Sequence, residues 1–175
     1  DWKTLAPYYK KQRHYKLGAI EQTGKSPHPW SSNVWDEHSV GEVAIVEAPG
    51  RDVMAWRIRN LSGRHATQLM LWRPFMMHRN ATYKFSFRYR TTEDLYTRWR
   101  LSRSGAESET VVLPPSPDGW RTVVATLRTG RLPEALSLNF QHNRVGEEHA
   151  CYITEVRLVR VGDARPSLDR RRPHP

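Results

Sequence analysis

The stretch TYKFSFRYR, residues 82–90, decides the fold class. Tyr83, Phe85, Phe87 and Tyr89 alternate with Lys84, Ser86, Arg88 and Arg90. In an extended chain this period of two puts the aromatics on one face and the polar side chains on the other, the mark of a half-buried antiparallel strand. Working outward, similar short extended segments recur, at Val43–Glu47, Met54–Asn60, Thr67–Arg73, Thr82–Thr91, Tyr96–Ser102, Glu109–Leu113, Trp120–Arg128, Leu136–Asn143 and Cys151–Val161. Turn-rich breaks such as APGRD, NLSGRH, PPSPDG and RVGEEH separate them, and nothing between them has a helical period. About nine strands at this spacing predict an all-β antiparallel sandwich and exclude a βαβ fold.

The closing segment CYITEVRLVRV adds a detail. Cys151 and Ile153 share one parity and Val156 and Leu158 the other, so the apolar row predicts a shift of register between them. Cys151 is the only cysteine; it cannot form an internal disulfide, and within an apolar strand it reads as a small buried hydrophobe.

With 175 residues the chain suits one domain, and seven Trp, seven Tyr and four Phe are too many aromatics for a disordered chain. Residues 1–29, rich in Lys, Tyr, Pro and Gly without a period, read as a basic N-terminal arm or linker. Residues 30–162 read as the sandwich domain, and residues 163–175 as a basic, flexible C-terminal tail. The formal net charge of +10 favours anionic partners. The basic runs, however, sit at the ends, in KKQRHYK (10–16) and DRRRPHP (169–175); elsewhere Arg alternates with apolar residues as on any solvated sheet face. No apolar run has membrane-spanning length and no signal-type segment is visible, so the expectation is no membrane span and no visible targeting.

The stretch LSLNFQHN, residues 136–143, carries the most specific functional signal. Leu136, Leu138 and Phe140 point one way, whereas Ser137, Asn139, Gln141 and Asn143 form a row of mostly carboxamides on the other face. Amides both donate and accept hydrogen bonds, so such a row suits hydroxyl-rich ligands. The structural alternative is a polar face that holds a crossing loop.

Read in order, the segments AWRIRN (55–60), ATQLMLWRPF (66–75), NATYKFSFRYR (80–90), DGWRTVVATLR (118–128) and CYITEVRLVRVG (151–162) resemble the jelly-roll carbohydrate-binding modules of the galactose-binding-like superfamily. The likeness is one of layout and spans residues 30–162. It implies a non-catalytic glycan-recognition module of a larger protein, in an extracellular or cell-surface setting, with a polysaccharide partner held on a concave sheet. That sheet would comprise the strands at Thr67–Arg73, Tyr96–Ser102, Glu109–Leu113 and Leu136–Asn143. Asn139, Gln141 and Asn143 would bond hydroxyls, and Arg98 and Arg100 would orient the sugar or meet an acid group. If Leu69 and Leu71 face inward, Gln68 and Trp72 reach the groove; Trp72 or Tyr96 would then stack on the sugar ring. The closing strand of these modules often carries an Asp that helps hold a structural calcium, but Thr154 and Glu155 stand there in this chain, too few carboxylates for a cage of oxygens, and no metal or other cofactor is expected.

Catalysis finds little support. The eight histidines show no HExxH or HxH spacing and no pairing with Cys at zinc-ligand spacing. Asp36, Glu37, Glu93, Asp94, Glu107, Glu109, Glu147 and Glu148 lie in loops or beside turns, and GxSxG, P-loop and GxGxxG patterns are absent. The expectation is no enzyme and no catalytic residues. Two alternatives stand beside glycan binding: a structural or protein-interaction module that uses its basic ends, and a binder of polyanions, nucleic acid or acidic polysaccharide, through RYRTTEDLYTRWRLSR (88–103).

Overall fold

A computed structural model of the chain describes residues 19–23, 30–34, 39–63, 66–71, 75–92, 95–102, 109–132 and 134–163. Trp72, the segment 1–18 and the segment 164–175 lie outside the described residues, and with them both basic runs and most of the expected arm and tail.

The described residues form β1 (Ala19–Thr23), β2 (Trp30–Val34), β3 (Val40–Glu47), β4 (Met54–Ser62), β5 (Thr67–Leu71) and β6 (Phe75–Met77), followed by β7 (Ala81–Thr91), β8 (Leu95–Ser102), β9 (Glu109–Leu113), β10 (Arg121–Arg128), β11 (Glu134–His142) and β12 (Cys151–Asp163). They make two sheets, ordered β1-β3-β4-β12-β7-β10 and β2-β5-β11-β8-β9, with β6 paired to the start of β11. All strand pairings are antiparallel except that of β1 with β3. The chain is thus an antiparallel β-sandwich, and the second sheet contains the four strands that the sequence grouped together.

The sandwich also takes in residues placed earlier in the arm. β1 lies within 1–29 yet pairs in register with β3, Ala19 opposite Val40 to Thr23 opposite Ala44. The sequence AIEQT is too short to reveal a period of its own, so only the neighbouring strand defines it.

The core lies between the sheets and follows the alternation. From β7, Tyr83, Phe85, Phe87 and Tyr89 are all buried, and the ring of Phe87 meets Phe140 of β11 edge-on at 5.1 Å. From the second sheet Leu69, Leu136, Leu138, Phe140 and Leu113 close the other side. Burying a large aromatic stabilises by about 1.5–3 kcal/mol relative to leaving it exposed, so this layer dominates cohesion. Polar tips within it find partners: Tyr89 Oη donates to the carbonyl of Pro114 at 3.0 Å, and Tyr83 Oη accepts from the backbone N–H of His78 at 2.8 Å. Burial raises the Tyr89 pKa, opposed in part by the hydrogen bond and charge of Arg121.

In β12 the expected register shift falls between Thr154 and Arg157, where Glu155 takes a positive φ of 51°. The bulge swings Val156 and Leu158 onto the apolar layer that Cys151 and Ile153 occupy before it. Cys151 is fully buried, and burial pushes its thiol pKa well above the ordinary range.

Close backbone approach explains one glycine. A Cβ on Gly41 of β3 would stand 2.2 Å from Thr67 Oγ1 of β5, so the sheets meet there at a distance only glycine permits.

Candidate functional site

Core burial of Leu69, Leu136, Leu138 and Phe140 settles which side of the second sheet faces outward. Two rungs of Cα partners cross that outer surface. One runs Asn33, Gln68, Gln141, Tyr96 and Val112 through β2, β5, β11, β8 and β9. The next runs Ser31, Met70, Asn139, Arg98 and Thr110. Ser137, opposite Arg100, begins a third. Six of the residues singled out in the sequence, Gln68, Tyr96, Arg98, Arg100, Asn139 and Gln141, therefore fall on adjacent register positions of three neighbouring strands.

The row is recessed at one end. Gln68 and Gln141 keep only 4% and 8% of their surface, whereas Ser137, Asn139 and Met70 are half-buried, and Thr110 and Val112 on the edge strand are exposed. Access to the amides is therefore from the Ser137 and β9 side. Asn139 Nδ2 donates to Gln68 Oε1 at 2.8 Å, a diagonal cross-strand bond that fixes both amides. Asn139 Oδ1 is buried and has no hydrogen-bond partner. Such an atom costs about 1–3 kcal/mol unless something donates to it.

Asn143 does not extend the row. β11 ends at His142, and the chain then turns away to bridge with β4: the backbone carbonyl of Asn143 accepts from Asn60 Nδ2 at 3.2 Å, and Val145 pairs with Asn60. Buried Asn60 pulls the chain off the sheet, which alternation alone could not reveal. Met70, Thr110 and Val112 are additions to the row; their parity was readable, but only the register shows which strands are neighbours.

The place where the resemblance implies a calcium holds guanidinium groups instead. Glu155 Oε2 lies 3.1 Å from both Arg51 Nη2 and Arg88 Nε, and Glu155 Oε1 accepts from Arg157 Nη2 at 3.4 Å. Thr154 Oγ1 donates to the carbonyl of Met54 at 2.7 Å. With its carboxylate so engaged, this residue set does not fit a calcium ion. Among the described residues no group of three or more His, Cys, Asp or Glu side chains is placed to hold a metal, and no helix is long and apolar enough to cross a membrane.

Two other strand carboxylates, Glu42 and Glu134, are similarly engaged. Glu42, 5% exposed, accepts from Arg57 Nε at 2.8 Å and from Arg59 through both carboxylate oxygens. Burial alone would raise its pKa, but the hydrogen bonds and charges of Arg59 and Arg57 together hold it below the usual value. Glu134 Oε1 accepts from the backbone N–H of Gly130 at 3.0 Å, tying the turn before β11. Neither was singled out from the sequence, because isolated Glu residues on strands give no spacing signal.

No protein-family model matches the chain, and no curated protein matches it by sequence. Solved structures do. The enzymatically active domain of tailspike protein 4 of bacteriophage CBA120 is similar with a TM-score of 0.60 and 12% identity, over 77% of this chain and 20% of that one. The CBM22-1 xylan-binding domain of Paenibacillus barcinonensis Xyn10C is similar with a TM-score of 0.54 and 10% identity, over 81% of this chain and 91% of that one. The CBM22-1–GH10 modules of Clostridium thermocellum xylanase 10B, complexed with xylohexaose, give 0.52 and 13%, over 75% of this chain and 26% of that one. The chain spans about 20% of the tailspike domain's length. At such identities the likeness establishes the fold, a jelly-roll β-sandwich of the kind found in carbohydrate-binding modules.

Proposed function

We propose that the protein is a non-catalytic carbohydrate-binding module that belongs to a larger protein and holds a glycan on the outer face of the β2-β5-β11-β8-β9 sheet. The observation that carries this reading is the pair Asn139 and Gln68: two amides locked to each other on the outer sheet face, with half-buried Asn139 beside the register positions of Arg98 and Ser137. Gln141 supports the row from the next register position. Arg98 and Arg100, opposite Asn139 and Ser137, orient the sugar, and Tyr96, opposite Gln141, or Trp72, which lies outside the described residues, supplies the stacking ring. Each hydrogen bond to a well-solvated hydroxyl nets about 0.5–1.5 kcal/mol, so affinity is modest per sugar and grows with the number of sugars held.

The test is affinity gel electrophoresis against neutral and acidic polysaccharides and an oligonucleotide, at low and moderate salt, comparing wild type with Asn139→Ala/Gln141→Ala. Xylan belongs in the panel because one structural neighbour is a xylan-binding domain. Retardation by a polysaccharide that survives salt and is lost in the variant is expected. Retardation by polyanions alone, abolished by salt and equal in the variant, would transfer the function to the basic ends, since polyanion binding weakens steeply with salt.

A further inference from the structure

The first sheet ends on β10, which shares no residue with the amide row. β7 lies on one side of it, and among the described residues no strand pairs with the other. Thr129 N–H donates to the carbonyl of Ala81 at 2.9 Å, continuing the β10–β7 register, so the alternation of an antiparallel ladder turns the amides and carbonyls of Arg121, Val123, Ala125 and Leu127 toward β7. Those of Thr122, Val124, Thr126 and Arg128 point off the sheet. Edge strands are ordinarily blunted by charge, proline, a bulge or shortness. From Thr122 to Leu127 β10 has no charged residue and no proline, its pairing with β7 runs without a register shift, and the strand is 8 residues long. The core also opens here: Val123 and Ala125 pack against it yet are only partly buried, whereas Phe87 and Phe85 opposite them on β7 are 1% exposed.

The charges around this edge select the occupant. β7 and β10 carry Lys84, Arg88, Arg90, Arg121 and Arg128 and no carboxylate. The carboxylates of β12 are already engaged, Glu155 by Arg51, Arg88 and Arg157, and Asp163 by Arg160. Lys84, opposite Thr126, and Arg128, at the end of the strand, are exposed and share the outer face with Thr122, Val124 and Thr126. A second copy of the chain would bring its own Arg121 and Arg128 and a net charge of +10 to this edge, which opposes pairing, whereas an acidic strand meets complementary charge. We infer that β10 is a docking edge for an extended acidic segment of a partner polypeptide, which adds to the first sheet as a further strand. Backbone hydrogen bonds to Thr122, Val124 and Thr126 hold it, and its inward apolar side chains cover Val123 and Ala125. Carboxylates on its outer row meet Arg128 directly and Lys84 across the small side chain of Thr126.

The experiment is an amide-shift titration of the ¹⁵N-labelled full chain with the blocked peptide Glu-Thr-Val-Thr-Val-Thr-Glu and with its Lys-flanked counterpart. Saturable shifts centred on Thr122, Val124 and Thr126, with slowed hydrogen exchange at those amides, are expected for the acidic peptide, and binding weaker by about tenfold or more for the basic one. Val124→Pro removes an amide that points away from β7, so it leaves the ladder within the sheet intact and should abolish the shifts. Thr122→Glu/Thr126→Glu, two exposed changes, tests the same edge without touching the backbone and should weaken the acidic peptide about tenfold. Asn139→Ala/Gln141→Ala should leave peptide binding unchanged even where polysaccharide binding is lost. No saturable shift along β10, equal binding of both peptides, binding that survives both edge variants, or dimerisation through β10 in sedimentation at rising concentration would overturn the inference.

Discussion

Replacing Gln68 and Asn139 together separates a binding role from a structural one. In Gln68→Met/Asn139→Leu both amides give way to apolar side chains of similar size. The change removes the Nδ2 to Oε1 bond, a loss of about 0.5–1.5 kcal/mol, and also the unpartnered buried Oδ1, whose relief returns about 1–3 kcal/mol. Gln68 is only 4% exposed, so the new methionine gains further burial. The sum is neutral to stabilising, by up to about 2 kcal/mol. For a chain of this size that is an unchanged melting temperature or a rise of a few degrees, about 2–4 °C per kcal/mol. Thermal unfolding followed by near-ultraviolet circular dichroism reads the stability, and the same preparation in affinity electrophoresis should have lost its polysaccharide. A variant that melts earlier by more than about 4 °C would refute the reasoning, because the amides would then be holding the sheet together.

Phe87→Ala, at a residue 1% exposed and packed against Phe85, Tyr89 and Phe140, should destabilise by about 3–5 kcal/mol; denaturant unfolding that shows less than about 2 kcal/mol would mean the sheets collapse over the gap. Because Arg59 and Arg57 lower the Glu42 pKa, Glu42 contributes stability that is complete above the unfolded value near 4.3 and is lost as pH falls through the depressed folded value. Glu42→Gln should therefore cost about 1–3 kcal/mol at neutral pH, discounted for the partial exposure of both arginines, and flatten the acid limb of the stability profile; parallel acid limbs would contradict this. Native Cys151 should resist thiol reagents until the chain unfolds, and labelling faster than global unfolding would show that β12 opens locally.

What the sequence disclosed follows from periodicity. TYKFSFRYR and LSLNFQHN alternate over enough residues for one face to be identified with the core, and the parity change in CYITEVRLVRV located the bulge at Glu155. The strands without a period escaped: AIEQT of β1, WSSNV of β2, and FMM of β6, which is three residues long and follows a proline. Their extended form is imposed by the partners they pair with, a tertiary effect. The amide row was visible as a row, but its closure at Gln68 and Gln141 and the departure of Asn143 depend on neighbours from distant strands.

The central claim, that the outer face around Asn139 holds a glycan, is tested most directly by titrating the ¹⁵N-labelled chain with an oligosaccharide of whichever polysaccharide retards it. The account predicts saturable shifts at Ser137, Asn139 and Gln141 and at their register partners Tyr96, Arg98 and Arg100, all lost in Asn139→Ala/Gln141→Ala. Saturable shifts confined to the basic ends, or to the other sheet, β1-β3-β4-β12-β7-β10, would contradict it.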